Sequence, residues 1–143
     1  MEGVRVASGI GLGVSIIVAI LFLTMPRLLL GAFGMSDPAV VDIGVQLLTF
    51  LSISGLFISV ALVHTGGLQG TGDTRSPLYI SIISQIVIPL GICSTLQAMR
   101  GLQPTDIWSA ILVGHATRCL LSVVRFRQGK WRDIRVEIEP ART

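Results

Sequence analysis

A chain of 143 residues that is 51% hydrophobic, 13% charged and of mean hydropathy +0.78 is too apolar for a soluble domain and falls in the integral membrane class. Its net charge of +3 and pI near 9.5 do not signal nucleic acid, because six of the eleven basic residues lie between Arg125 and Thr143, behind an apolar run. A basic stretch in that place reads as a cytoplasmic anchor. The two cysteines, Cys93 and Cys119, sit inside apolar runs without metal-ligand spacing and read as small hydrophobes.

The first apolar run predicts a helix over about 6–30, long enough to cross a hydrocarbon core of about 30 Å. Met1-Glu2-Gly3-Val4-Arg5 makes a poor signal-peptide start and no small-residue cleavage site follows, so the run reads as a retained helix. Gly9 and Gly13 form a GxxxG pair, and Gly11 with Ser15 repeats the small-residue spacing one step round, which marks a helix-packing face. No strand precedes these glycines and no lysine follows, which argues against a phosphate loop. Pro26 is expected to kink or end the helix.

A short loop over 31–38 offers Ser36 or Asp37 as the cap of a second helix, expected over 39–65. Within it Ser52, Gly55 and Ser59 recur at steps of three and four, giving a small, weakly polar face that packs on a neighbour or lines a wet cavity. His64 reads as an interfacial or hydrogen-bonded histidine. A third helix is expected over 77–99. Pro89 cannot donate to the carbonyl of Gln85, so Gln85 offers a free backbone acceptor together with its side-chain amide. The fourth helix is expected over 107–124, capped by Thr105 or Asp106, with His115 and Arg118 on one face and Arg118 snorkelling toward headgroups. Residues 125–143 are expected to form a basic cytoplasmic tail whose alternating bases and aromatics anchor at the interface. The basic tail, with four spans, places both termini and the turn between the second and third helices on the cytoplasmic side.

That turn is the most particular stretch of the chain: Gly66-Gly67-Leu68-Gln69-Gly70-Thr71-Gly72-Asp73-Thr74-Arg75-Ser76-Pro77. Its glycines are expected to free the backbone between two helices, with Asp73, Thr74 and Ser76 capping the next helix and Pro77 in its first turn. As a bare pattern it is a polar loop between membrane helices. Its wording resembles the glycine-rich "LRGxGDTRTP" turn of the multidrug and toxic compound extrusion (MATE) transporters, and the resemblance runs from about Gly9 to Val136. Gly66, Gly70, Gly72, Asp73, Thr74, Arg75 and Pro77 carry the family turn.

The resemblance implies an all-α integral membrane fold whose four transmembrane helices match helices nine to twelve, in the C-terminal lobe of a twelve-helix transporter. It also implies a secondary antiporter that expels organic cations and drugs in exchange for Na+ or H+. Two lobes must rock about a shared site for alternating access, so four helices of one lobe would be incomplete and inactive alone, needing the remainder of the transporter or a partner chain. Some family members carry a coupling carboxylate midway along the tenth helix; here no acid lies between Asp42 and Asp73. Ser52, Ser59 and Gln85 are the cavity candidates, and Gly9, Gly13 and Gly55 the helix-packing candidates. No nucleophile–base pair, paired carboxylate or metal cluster is legible, so an enzyme and a resident cofactor are not expected. The alternatives are a free-standing four-helix exporter that dimerises and a structural or assembly subunit. The small dimeric exporters depend on a glutamate in their first helix, and residues 6–30 contain no acid.

Overall fold

In the computed structural model, which describes residues 2–129, the first apolar run is broken in two, α1 (Glu2–Thr24) and α2 (Pro26–Ala32). Pro26 has no amide hydrogen to continue the ladder, and Met25 leaves helical backbone at φ −130°, ψ 41° before the helix restarts with proline in its first turn. A loop leads to Asp37, whose carboxylate accepts the Ala39 amide at 2.9 Å and caps α3 (Pro38–Gly70). The Arg27–Asp42 pair beside it is 3.6 Å long, with both side chains over two-thirds exposed, so it contributes at most a few tenths of a kcal/mol, roughly.

Helix α3 is longer than the sequence pattern suggested. Its 33 residues extend about 50 Å, well beyond a hydrocarbon core, and Gly66, Gly67 and Gly70 are all helical rather than hinge residues. Packing overrides glycine's helix penalty of about 1 kcal/mol, clearest at Gly67. A β-carbon there would lie 3.0 Å from Val4 Cγ2 and 3.1 Å from Phe126 Cε2, so this glycine lets the ends of three helices converge. The turn itself is only Thr71–Thr74, and Gly72, at φ 89°, is its left-handed residue. Gly72→Ala is therefore expected to lower the melting temperature, at a cost of about 1–2 kcal/mol. Gly66→Ala, helical and with open space around it, should leave stability unchanged or raise it. Equal losses at both positions in a detergent thermal-shift assay would contradict this backbone.

The third span runs continuously over Arg75–Arg100 as α4 (Arg75–Ile82), a π-turn (Ile83–Val87) and α5 (Ile88–Arg100). The widened turn lies just before Pro89: the Ile88 amide reaches back five residues to the Ile83 carbonyl, and Pro89 falls in the first turn of α5. The last helix, α6 (Pro104–Arg127), starts earlier than expected. Gln103 is its N-cap, not Thr105 or Asp106. Asp106 instead lies in the first turn, where Oδ2 accepts the Gln103 amide at 3.1 Å and Oδ1 takes Arg100 Nη2 at 2.6 Å.

The contacts set the helices in a row. Helix α1 packs antiparallel on α3, with Gly11 against Ser59 and Val63 and, toward the other end, Val4 against Gly67. Helices α3 and α6 run parallel: Phe50 meets Trp108 (ring centroids 5.8 Å), Thr65 meets Ser122 (3.4 Å between hydroxyls) and His64 meets Phe126 edge-on (5.4 Å). The third span packs antiparallel on α6, where its π-turn meets Gly114. Small residues dominate the enclosed seams, among them Ala19, Ala61, Ala110, Ser84 and Ser122, as expected where helices associate by close approach in lipid. The large aliphatic side chains point outward instead: Ile10, Ile17, Leu28 and Leu90 are each at least 60% exposed. Helices satisfy their own backbone, so such a surface suits a bilayer.

The expected packing glycines stand elsewhere. Gly9, Gly13 and Gly55 have nothing within 4 Å of a β-carbon position, and the close α1–α3 approach is made at Gly11. The more enclosed residues of α1 — Val4, Ser8, Gly11, Leu12, Ser15, Ala19 and Phe22 — recur at steps of three and four, a stripe on another face from Gly9 and Gly13.

Candidate functional site

The polar turn closes on the far end of the chain. Asp73 is 4% exposed, an unusual place for a carboxylate unless it is paired. One oxygen, Oδ1, accepts the Ser76 amide at 3.1 Å and so holds the first turn of α4. The other, Oδ2, receives Arg125 Nε at 3.2 Å and Nη2 at 2.9 Å, across 52 positions of sequence. Burial pushes the Asp73 carboxyl pKa up, but the hydrogen bonds from Ser76 and Arg125 outweigh it and hold the value below the ordinary carboxylate range. The glycine-rich turn is thus a charged clasp, fastening the α3–α4 connection to α6.

This changes the reading of the basic tail. Arg125, Phe126 and Arg127 belong to α6, not to a separate anchor. Phe126 is buried, packed edge-on against His64 and close to Gly67, while His64 Nδ1 donates to the Val60 carbonyl at 2.8 Å. The expected tail from Lys130 to Thr143 lies outside the described residues.

Around the clasp the bundle end is strongly basic. Arg5, Arg75, Arg118, Arg125 and Arg127 lie on this side with Glu2 and Asp73, whereas Arg27 and Arg100 share the opposite side with Asp37, Asp42 and Asp106. A cavity of about 370 Å³ beside the turn is lined by Thr65, Gln69, Arg75, Ser81 and Arg118, among others. The Arg118 Nε is enclosed and has no hydrogen-bond partner among the described residues.

The three cavity candidates are not brought together. Ser52 is buried on α3 and donates to its own Leu48 carbonyl at 2.7 Å. Ser59 donates to Leu56 at 3.1 Å and abuts Gly11 of α1. Gln85, in the π-turn, lies against Gly114 of α6, and its Nε2 is enclosed without a partner among the described residues. Of the turn residues that carry the resemblance, Gly66 and Gly70 are helical, Gly72 and Asp73 shape the turn, and Thr74 and Arg75 open α4. Pro77 is buried in the first turn of α4, as its chemistry requires. Sequence reasoning missed the Asp73–Arg125 pair, Gly114 and the setting of Arg118. The only trace of the π-turn was the Gln85-to-Pro89 spacing. Among the described residues no three His, Cys, Asp or Glu side chains gather as a metal site.

Four helices long and apolar enough to span a bilayer, joined in a row with lipid-compatible outer faces, define a multi-pass all-α membrane protein. Residues 2–94 match the MatE family. A probable multidrug resistance protein NorM from Deinococcus radiodurans is 33% identical over 130 residues, which is 85% of this chain and 29% of that protein. The probable NorM of Brucella suis is 28% identical, over 85% of this chain and 27% of its own length. The multidrug resistance protein MdtK of Pectobacterium atrosepticum is 25% identical, over 89% and 29% respectively. No solved structure matches the chain. The chain belongs to the MATE family of membrane transporters. It spans less than a third of the length of these relatives.

Proposed function

We propose that this chain forms part of a secondary-active exporter that expels organic cations and drugs in exchange for Na+ or H+. The observation that carries the reading is its similarity, along most of its length, to proteins named for multidrug resistance. The four spans correspond to helices nine to twelve of such an exporter, and the Thr71–Thr74 turn to the connection between ten and eleven. Gly9, Gly13 and Gly55, open in this chain, are faces against which helices of the remaining lobe or of a partner chain pack. The excess of arginine at the turn end favours placing that end, with both termini, in the cytoplasm of a cell whose inner membrane the bundle crosses.

The acids of the described spans, Glu2, Asp37, Asp42, Asp73 and Asp106, sit at helix ends. A coupling carboxylate at mid-membrane would therefore come from elsewhere in the assembly. Gln85, with an enclosed amide and an irregular backbone, is the strongest of the three cavity candidates. Residues 1–143 expressed alone in a host stripped of its own exporters are expected to confer no resistance to organic-cation drugs. The same segment within the longer exporter should confer resistance. Resistance from residues 1–143 alone would overturn the incomplete-lobe reading, and none from the longer protein would overturn export itself.

A further inference from the structure

We propose that the cavity between α3, α4 and α6 is a binding site for an anionic phospholipid headgroup, with Arg118 and Arg75 on its phosphate. An arginine on the membrane span of α6 keeps its charge under all conditions, so it needs an anion or water near it. Among the described residues Arg118 has no ion pair, and its Nε is enclosed without a hydrogen bond. Of the two described acids at the same end, Asp73 is already taken by Arg125 and Ser76, and Glu2 lies beside Arg5 and Val6, outside this cavity. Arg75 faces the same cavity and likewise forms no ion pair among the described residues.

The rest of the lining fits a lipid ester rather than a bare charge. Gln69 and Ser81 supply amide and hydroxyl donors beside the two guanidinium groups, and Leu78, 57% exposed, gives an apolar flank for the start of an acyl chain. Depth agrees. The cavity lies just beneath the Thr71–Thr74 turn, and Arg118 stands about 14 Å short of the α6 terminus along the axis, within reach of headgroup level when extended. A planar guanidinium pairs with phosphate oxygens in bidentate fashion, and basic pockets between membrane helices hold phospholipid heads by this chemistry. The proposal does not depend on the direction of transport or on transport at all.

The test is native mass spectrometry of the full-length protein released from nanodiscs containing phosphatidylglycerol, phosphatidylcholine or both, with inorganic phosphate as a separate addition. Wild type is expected to retain phosphatidylglycerol in preference to phosphatidylcholine. Arg118→Gln should weaken that retention by at least about fivefold and Arg75→Gln by at least about twofold, and undiminished retention in Arg75→Gln would overturn its place in the site. Arg27→Gln, at the opposite end, should retain lipid as wild type does. Equal retention of the two lipids, or undiminished phosphatidylglycerol in Arg118→Gln, would overturn the site. Displacement of the lipid by millimolar inorganic phosphate would assign the cavity to a free anion instead. If Arg118→Gln melts lower with its lipid count unchanged, Arg118 answers an acid elsewhere in the protein and the proposal falls. Should Arg118→Gln not fold, Arg75→Gln, at an exposed position, decides the question alone.

Discussion

Arg125→Ala is expected to destabilise the protein by about 3 kcal/mol, read as a large drop in melting temperature of the detergent-purified protein. Its partner is the reason. The Asp73 side chain is 5% exposed and that of Arg125 26%, so removing the arginine strands a carboxylate in a desolvated pocket with only Ser76 left to it. Asp73→Asn should cost less, because a neutral amide keeps a hydrogen-bonding oxygen for Ser76, and Arg125, more exposed, can turn toward water. The pair also predicts a pH dependence. The folded pKa of Asp73 lies below its unfolded value, so the stabilisation is complete above about pH 4 and is lost as pH falls through the folded pKa. In Arg125→Ala the raising effect of burial remains while the arginine's lowering effect is gone. The acid limb of the stability curve should then move to higher pH. A variant whose acid limb and melting temperature both match wild type would show that the clasp contributes nothing.

Gly114→Leu is the second substitution with a large expected effect, a loss of about 3 kcal/mol or failure of α6 to seat on the third span. Gly114 is buried where α6 crosses the π-turn. A β-carbon there would collide with the Ser84 carbonyl oxygen and stand 3.1 Å from Pro89 Cγ. The obstacle at Ser84 is backbone, which cannot swing aside as a side-chain tip can, so even Gly114→Ala should lower the melting temperature. Gly91→Ala, in α5 with open space around it, is the control and should be neutral or slightly stabilising. Retention of wild-type stability by Gly114→Leu would mean that the third span and α6 do not approach as described.

Much of this molecule was legible before any coordinates. Four apolar runs of spanning length, the break at Pro26 and the Asp37–Pro38 helix start follow from local chemistry, since hydropathy, missing amide hydrogens and capping oxygens act over a few residues. The wording of 66–77 pointed to the family that residues 2–94 match. Only the tertiary structure decided how those pieces are used. The glycines of that stretch looked like a hinge because intrinsic propensity disfavours them in helices, yet α3 continues through Gly70, with Gly67 making room for Val4 and Phe126. Two small-residue stripes on α1 satisfied the same spacing rule, and only contact with α3 selects Gly11 over Gly9 and Gly13. The role of Arg125 was hidden for a related reason. A charge near a helix end reads as a surface anchor until a carboxylate 52 positions away is brought against it. Composition and periodicity determine which segments enter a membrane, because each segment meets lipid on its own. Which glycine packs and which arginine is paired depend on neighbours that only folding supplies.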